Sequence, residues 1–166
     1  MTLNPYEKFL GDGDAVAIIA ATPARLAALT GSMSAEQAEA PIAPGKWSVR
    51  QIVTHVADCE IGFGFRLRQA LAGVPLMQPF DQDRWAESYG RHSLAAALET
   101  FRALRTWDVA LVSGLSEADK DLKVTHPERG EMALRTIVET MAGHDLNHLE
   151  KLEQACGPLL ARGAPL

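Results

Sequence analysis

Between Leu134 and Cys156 the chain places Ile137, Met141, His144, His148 and Leu152 three or four residues apart. That spacing brings each side chain to one face of an α-helix, and so apolar a face has to be buried against other elements. Two of its positions carry histidine where a core would take leucine. Burying an imidazole without a partner costs about 1–3 kcal/mol. Whatever packs on this segment must therefore satisfy two neighbouring imidazoles, and few arrangements do.

The other apolar stripes show what can pack there. Ser48 followed by Gln51 is a capping box, with Trp47 in front of it to staple the helix entry. Ile52, Val56, Cys59, Phe63, Leu67 and Ala70 then recur at helical spacing until Gly73 and Pro75. Ser93 caps a third stretch, with Leu94, Leu98, Phe101, Leu104, Leu111 and Val112 on its stripe. Residues 4–10 predict a short helical lead-in, stopped by Gly11 and Gly13. Asp14 caps a segment over 15–21. Thr22 and Pro23 read as the cap and first turn of a fresh segment that Gly31 ends, so the first long helix is expected to be broken in two. The run from Pro41 to Gly45 is a loop. A long crossover containing Pro79, Asp81, Asp83, Trp85 and Tyr89 joins the second stripe to the third. Residues 123–130 suggest a small hairpin before the last helix, which Gly157 and Pro158 are expected to stop. The economical architecture is all-α: one four-helix bundle spanning residues 1–166.

Composition narrows the function classes. Apolar residues make up 47% of the 166 residues and the net charge is -5, which argues against a nucleic-acid binder. No stretch is apolar and long enough to span a bilayer. Glu7, Lys8, Asp12 and Asp14 interrupt the one candidate signal peptide. The two cysteines, Cys59 and Cys156, do not make a disulfide framework, so a cytoplasmic protein is expected.

His55 lies on the second stripe between Ile52 and Cys59, so three histidines point into one bundle. An i,i+4 pair on one helix and a third imidazole from a facing helix can fill three corners of a tetrahedron and leave the fourth open. A single core histidine bonded to a carbonyl is the simpler reading of each residue alone; the pairing argues for one divalent ion per chain. A metalloprotease helix also carries two histidines at this spacing. Here Asp145 stands where that motif needs glutamate, and no third histidine follows.

Gly45-Lys46-Trp47-Ser48-Val49 running into His55, with Asp58 and Glu60 after it, resembles the DinB/YfiT-like family of metal-dependent proteins. The segment Phe80-Asp81-Gln82-Asp83-Arg84-Trp85 fits the same pattern. So do His126-Pro127 through Gly130, Gly143-His144-Asp145 and His148-Leu149. The resemblance runs from about residue 14 and implies an up-down-down-up four-helix bundle, usually a homodimer. It also implies a site for nickel, zinc or a similar ion on His55, His144 and His148. Some relatives transfer bacillithiol or use mycothiol in isomerisation, while many have no established activity.

Other residues carry alternatives. Cys59, one turn after His55, is either a fourth ligand that closes the site or a small core thiol. Asp58 and Asp145 can orient an imidazole from outside the ligand set, or be ordinary helix charges. Arg105 and Asp108 fall near the third stripe and either line a pocket or pair with each other or a neighbour. His126 and Trp85 can reach a pocket mouth or be structural, and His92 reads as a solvated loop residue. The expected activity is that of a metal-dependent thiol transferase acting on a low-molecular-weight thiol and a small electrophile. A hydrolase with metal-activated water and a non-enzymatic metal module are the alternatives. No side chain stands out as a general base.

Overall fold

A computed structural model describes residues 2–162, with side chains through residue 156. In chain order the helices are α1 (Glu7–Leu10), α2 (Ala15–Thr30), α3 (Ala35–Glu39), α4 (Val49–Leu71) and α5 (Gln82–Ala86). After a 3-10 turn at Tyr89–Arg91 come α6 (Leu94–Ser113), α7 (Glu117–Lys120), the hairpin strands β1 (Lys123–His126) and β2 (Gly130–Ala133), and α8 (Leu134–Arg162). Among the described residues no helix is long and apolar enough to cross a membrane.

The long helices start where their caps predict. Ser48 Oγ accepts the Gln51 N–H at 3.2 Å while Gln51 returns a bond to the Ser48 N–H at 2.9 Å. Ser93 Oγ accepts from the Ala96 N–H, and Asp14 from Val16 and Ala17. The same box at Ser34 and Gln37 nucleates α3, a helix that the apolar pattern did not announce.

Two expected breaks do not occur. α2 runs unbroken through Pro23, and the Thr22 hydroxyl donates to the Ile18 carbonyl at 2.9 Å instead of capping a new segment. Proline removes one helical hydrogen bond, so the Ile19 carbonyl loses its usual donor. It is compensated: Arg105 Nη1 donates to it at 3.1 Å. Likewise α8 continues past Gly157 and Pro158 to Arg162. A proline costs one hydrogen bond and some bending, and helices with flanking turns intact pass through it.

Polar contacts between helices give the topology. Arg50 at the start of α4 donates to the carbonyls of Tyr89 and His92, at 2.5 and 3.3 Å, just before α6 begins. Further along, Arg105 bonds Glu60 and Arg68 bonds Asp108, so α4 and α6 run parallel. Arg25 meets Glu153 as Ile19 meets Arg105, and His55 lies against His148; α4 thus opposes α8. The order is up-down-down-up, and the parallel pair is what requires the long crossover. The hairpin secures its start: the Met77 N–H donates to Thr125 and the Thr125 N–H to Pro75, at 3.0 and 2.8 Å.

Apolar packing falls into two clusters. One gathers Ile19, Phe63, Leu67, Val112, Met132 and Met141; the other Leu26, Ile52, Val53, Phe101, Leu149 and Leu152. Between them lies a buried polar layer of His55, Glu60, Arg105, Asp145, His144 and His148.

Candidate metal centre

α4 and α8 cross with opposite sense, so His55 faces the one-turn pair His144 and His148. All three are buried, at 2, 4 and 6% exposure. His55 Nε2 lies 3.1 Å from His144 Nε2. The ring centroids are 5.1 Å apart for His55–His144, 4.8 Å for His55–His148 and 4.5 Å for His144–His148. One nitrogen from each ring lies within 4.8 Å of the other two. Two nitrogens on a tetrahedral zinc-sized ion stand about 3.3 Å apart, so small adjustments of these rings suffice to hold one.

Chemistry supports the same fit. His148 Nδ1 is buried and has no hydrogen-bond partner among the described residues, an arrangement that a protein interior rarely tolerates without compensation. Burial, assisted by the nearby Lys151 charge, holds the His55 pKa down to about 4. Burial, then the charges of His55 and Lys151, take His148 to about 3. His144 is driven well below the ordinary value by burial and then by the two other histidines. Neutral imidazole is the ligating form, and all three are neutral near pH 7.

Neighbouring aromatic residues fix the rings. His55 Nδ1 lies 3.2 Å from the Tyr89 hydroxyl. With Nδ1 protonated and donating there, the Nε2 lone pair is free for an ion. Trp47 packs against His55 at 5.0 Å and edge-on to Tyr89 at 5.8 Å. Tyr6 stands edge-on to His144 at 5.2 Å. It approaches because residue 143 is glycine: a Cβ there would sit 2.6 Å from the Tyr6 carbonyl oxygen. Tyr6 and Tyr89 escape a reading of the sequence because neither lies on a helical stripe.

The remaining candidates fall in different places. Cys59 Sγ lies 3.6 and 3.7 Å from the two His55 nitrogens but does not join the three-nitrogen cluster. Burial, with the Asp58 and Asp145 charges adding, pushes its thiol well up, toward the neutral form. Asp58 is half-buried and makes no hydrogen bond to the histidines among the described residues. His126 is buried in the hairpin, its Nδ1 accepting the Glu128 N–H at 3.2 Å. Trp85 stacks on Phe80 at 4.7 Å, and His92 is exposed.

Asp145 does not orient an imidazole, and Arg105 does not pair with Asp108. They bind each other. Arg105 donates through Nε and Nη2 to Glu60 at 2.8 and 2.7 Å, through both Nη atoms to Asp145, and through Nη1 to Ile19. All five of its N–H donors are used. Burial opposes the Arg105 charge, but Asp145 and Glu60 outweigh it and push the guanidinium further above its usual range. Burial raises Glu60 against the pull of the same arginine. Two carboxylates share one guanidinium, and burial, which raises Glu60 to about 7, favours its protonated form. Asp108 instead pairs with Arg68 at 2.5 Å.

Two cavities reach this layer. One of about 200 Å³ is lined by Cys59, Phe63, Arg66, His126 and His144. The other, about 410 Å³, is lined by Lys46, Trp47, Ile52, His55, His148 and Lys151. Tyr6 and Gln82 line both.

A four-helix bundle with three converging imidazoles in its buried layer and cavities beside them is a bundle built around a metal site. The chain belongs to the DinB superfamily, whose profile matches residues 18–152. It is 29% identical over 123 residues to a protein of Oceanobacillus iheyensis named "Putative metal-dependent hydrolase", covering 73% of this chain and 72% of the relative. A relative of the same description from Bacillus licheniformis is 30% identical over 154 residues, 89% of this chain and 82% of its own. Among solved structures the fold matches YfiT from Bacillus subtilis, described as "a probable metal-dependent hydrolase with an unusual four-helix bundle topology". The TM-score is 0.80 at 20% identity, covering 96% of this chain and 90% of that one. TT2238, a four-helix bundle protein, matches with a TM-score of 0.57 at 25% identity, over 84% of this chain and 95% of that one.

Proposed function

We propose that this protein is a metal-dependent hydrolase that holds one divalent ion, zinc or nickel, on His55, His144 and His148. The observation that carries the reading is the convergence of three buried, neutral imidazoles, one with an orphaned nitrogen, on a layer that two cavities reach. Bound there, the ion supplies Lewis acidity that lowers the pKa of a water or thiol at its remaining position. The chain's own groups do the rest. Tyr89 and Trp47 hold the His55 ring, Tyr6 packs on His144, and the apolar clusters above and below enclose the layer except where the two cavities reach it. The names of the relatives support water as the nucleophile.

A thiol transferase is the second reading, favoured by the pair of cavities meeting at the histidines: one can admit a thiol and the other an electrophile. The test starts from elemental analysis of untagged protein, with about one ion per chain expected in the wild type and loss in His148→Ala. Full occupancy of that variant overturns the three-histidine site. The cobalt form of a Cys59→Ser protein is then titrated with cysteine, glutathione, bacillithiol and mycothiol. A new sulfur-to-metal charge-transfer band selects the thiol reading. An unchanged spectrum, together with metal-dependent cleavage of an activated ester, selects the hydrolase.

A further inference from the structure

The larger cavity differs from the smaller in its charge. It meets the candidate metal centre at His55 and His148, and Ile42, Trp47 and Ile52 give it an apolar wall. Among the described residues its only lysine, arginine, aspartate or glutamate lining residues are Lys46 and Lys151. Neither lysine is in a salt bridge among the described residues. The smaller cavity carries both signs of charge: Arg66, which donates twice to the Gln78 carbonyl and lies over the Phe80 ring, and Arg129 share its lining with Glu128.

The two lysines come from unrelated parts of the fold. Lys151 follows His148 by three residues on α8, so it shares the metal-facing side of that helix. Lys46 sits in the turn before α4, where Gly45 has a φ of +70° and the Lys46 N–H donates to Ala43 at 2.9 Å. The loop is closed by the Pro41–Ser48 bridge and by the Ile42 N–H donating to Trp47 at 3.1 Å. Lys46 is therefore presented by a built turn. Burial first, and then the Lys46 charge, depress the Lys151 pKa against the opposing pull of the neighbouring Glu150, so the two ammonium groups that line this cavity are within electrostatic reach. Like charges lining one cavity repel, and an anion bound between them relieves that repulsion.

We infer that Lys46 and Lys151 form an anion subsite, selecting small molecules that carry a carboxylate or phosphate group at the end of an apolar stem. The stem lies along Trp47 and Ile52, and the opposite end of the molecule reaches His55 and His148. This deepens the metal-dependent reading by naming the substrate class, and it rests on that reading for the reactive end only.

Two hydroxamates of matched length test it on zinc-loaded protein by calorimetry: butyrohydroxamate, with a neutral tail, and succinic monohydroxamate, with a carboxylate tail. The expected result is about tenfold tighter binding of the carboxylate probe, with the preference lost in Lys46→Gln/Lys151→Gln and the neutral probe unaffected. Equal affinities in the wild type, or a preference that survives the double variant, overturn the subsite. Both lysines are exposed, so the variants keep the fold. Inorganic phosphate titrated into metal-free protein, followed by Trp47 fluorescence against a Trp47→Phe control, reads the lysines without the ion. Failure of both hydroxamates with phosphate binding intact and lysine-dependent defeats the metal reading and leaves the anion subsite standing. Phosphate binding unchanged in the double variant defeats the subsite.

Discussion

Tyr89 reaches His55 from a 3-10 turn that Arg50 pins against the start of α4. Its hydroxyl is the hydrogen-bond partner of the ring nitrogen that does not face the other histidines. Removing it in Tyr89→Phe leaves the ring packed by Trp47 but free to change tautomer. Metal affinity is expected to fall about 10- to 100-fold, read by competition with a chromogenic chelator. Unchanged affinity would show that packing alone orients the ring. The histidines also set a pH dependence. In metal-free protein His55 and His148 hold protons only below about 4 and 3, whereas an unfolded histidine takes one up near 6.5. The unfolded chain therefore binds more protons across that window. Stability is full above pH 6.5 and is lost as the pH falls from there toward 3, by roughly several kcal/mol in all. Chemical denaturation at pH 7.5 and 4.5 measures the fall, and His148→Gln should make it shallower.

Arg105 is where the four long helices meet: Glu60 from α4, Asp145 from α8 and the Ile19 carbonyl from α2 all converge on its guanidinium from α6. Pro23 makes part of this possible, since its missing N–H leaves the Ile19 carbonyl available. The apolar pattern showed α4 and α6 at nearly their true bounds and α8 at its true start, because caps and periodicity are local, but it ended α8 at Gly157-Pro158, which the helix passes through. It misread Thr22-Pro23 as a break for the same reason: the donor that satisfies the freed carbonyl lies 86 residues away. Replacing Arg105 with methionine keeps much of the volume but strands two carboxylates at 1 and 2% exposure. Breaking a buried ion pair this way costs about 3–5 kcal/mol, so a large drop in melting temperature is expected by calorimetry. A drop of only a degree or two would mean that water or rearrangement readily replaces the guanidinium.

Among the described residues Ile61 and Phe65 on α4, Val74 and Leu76 beyond it, and Trp107 on α6 are exposed, the last at 71%. Phe65, Val74 and Leu76 line one shallow cleft. Exposed apolar groups in number are a reason for self-association. A two-fold homodimer is predicted, with a mass by light scattering of twice 17.9 kDa at micromolar concentration. A monomer there, or a dimer undisturbed by Trp107→Glu and Phe65→Glu together, would remove these residues from any interface.

Local spacing alone determined that this chain is helical, that its last helix carries two adjacent buried imidazoles, and that His55 stands on a stripe able to face them. Periodicity and capping are properties of neighbouring residues, so they survive without knowledge of the fold. The tertiary structure alone decided the rest. It assigned Asp145 to Arg105 instead of to a histidine, brought Tyr89 and Tyr6 onto the imidazoles from irregular segments, and gathered Lys46 and Lys151 into the lining of one cavity. Each of those pairings joins residues dozens of positions apart, and only the packing of α4, α6, the crossover and the N-terminal segment around α8 brings them together.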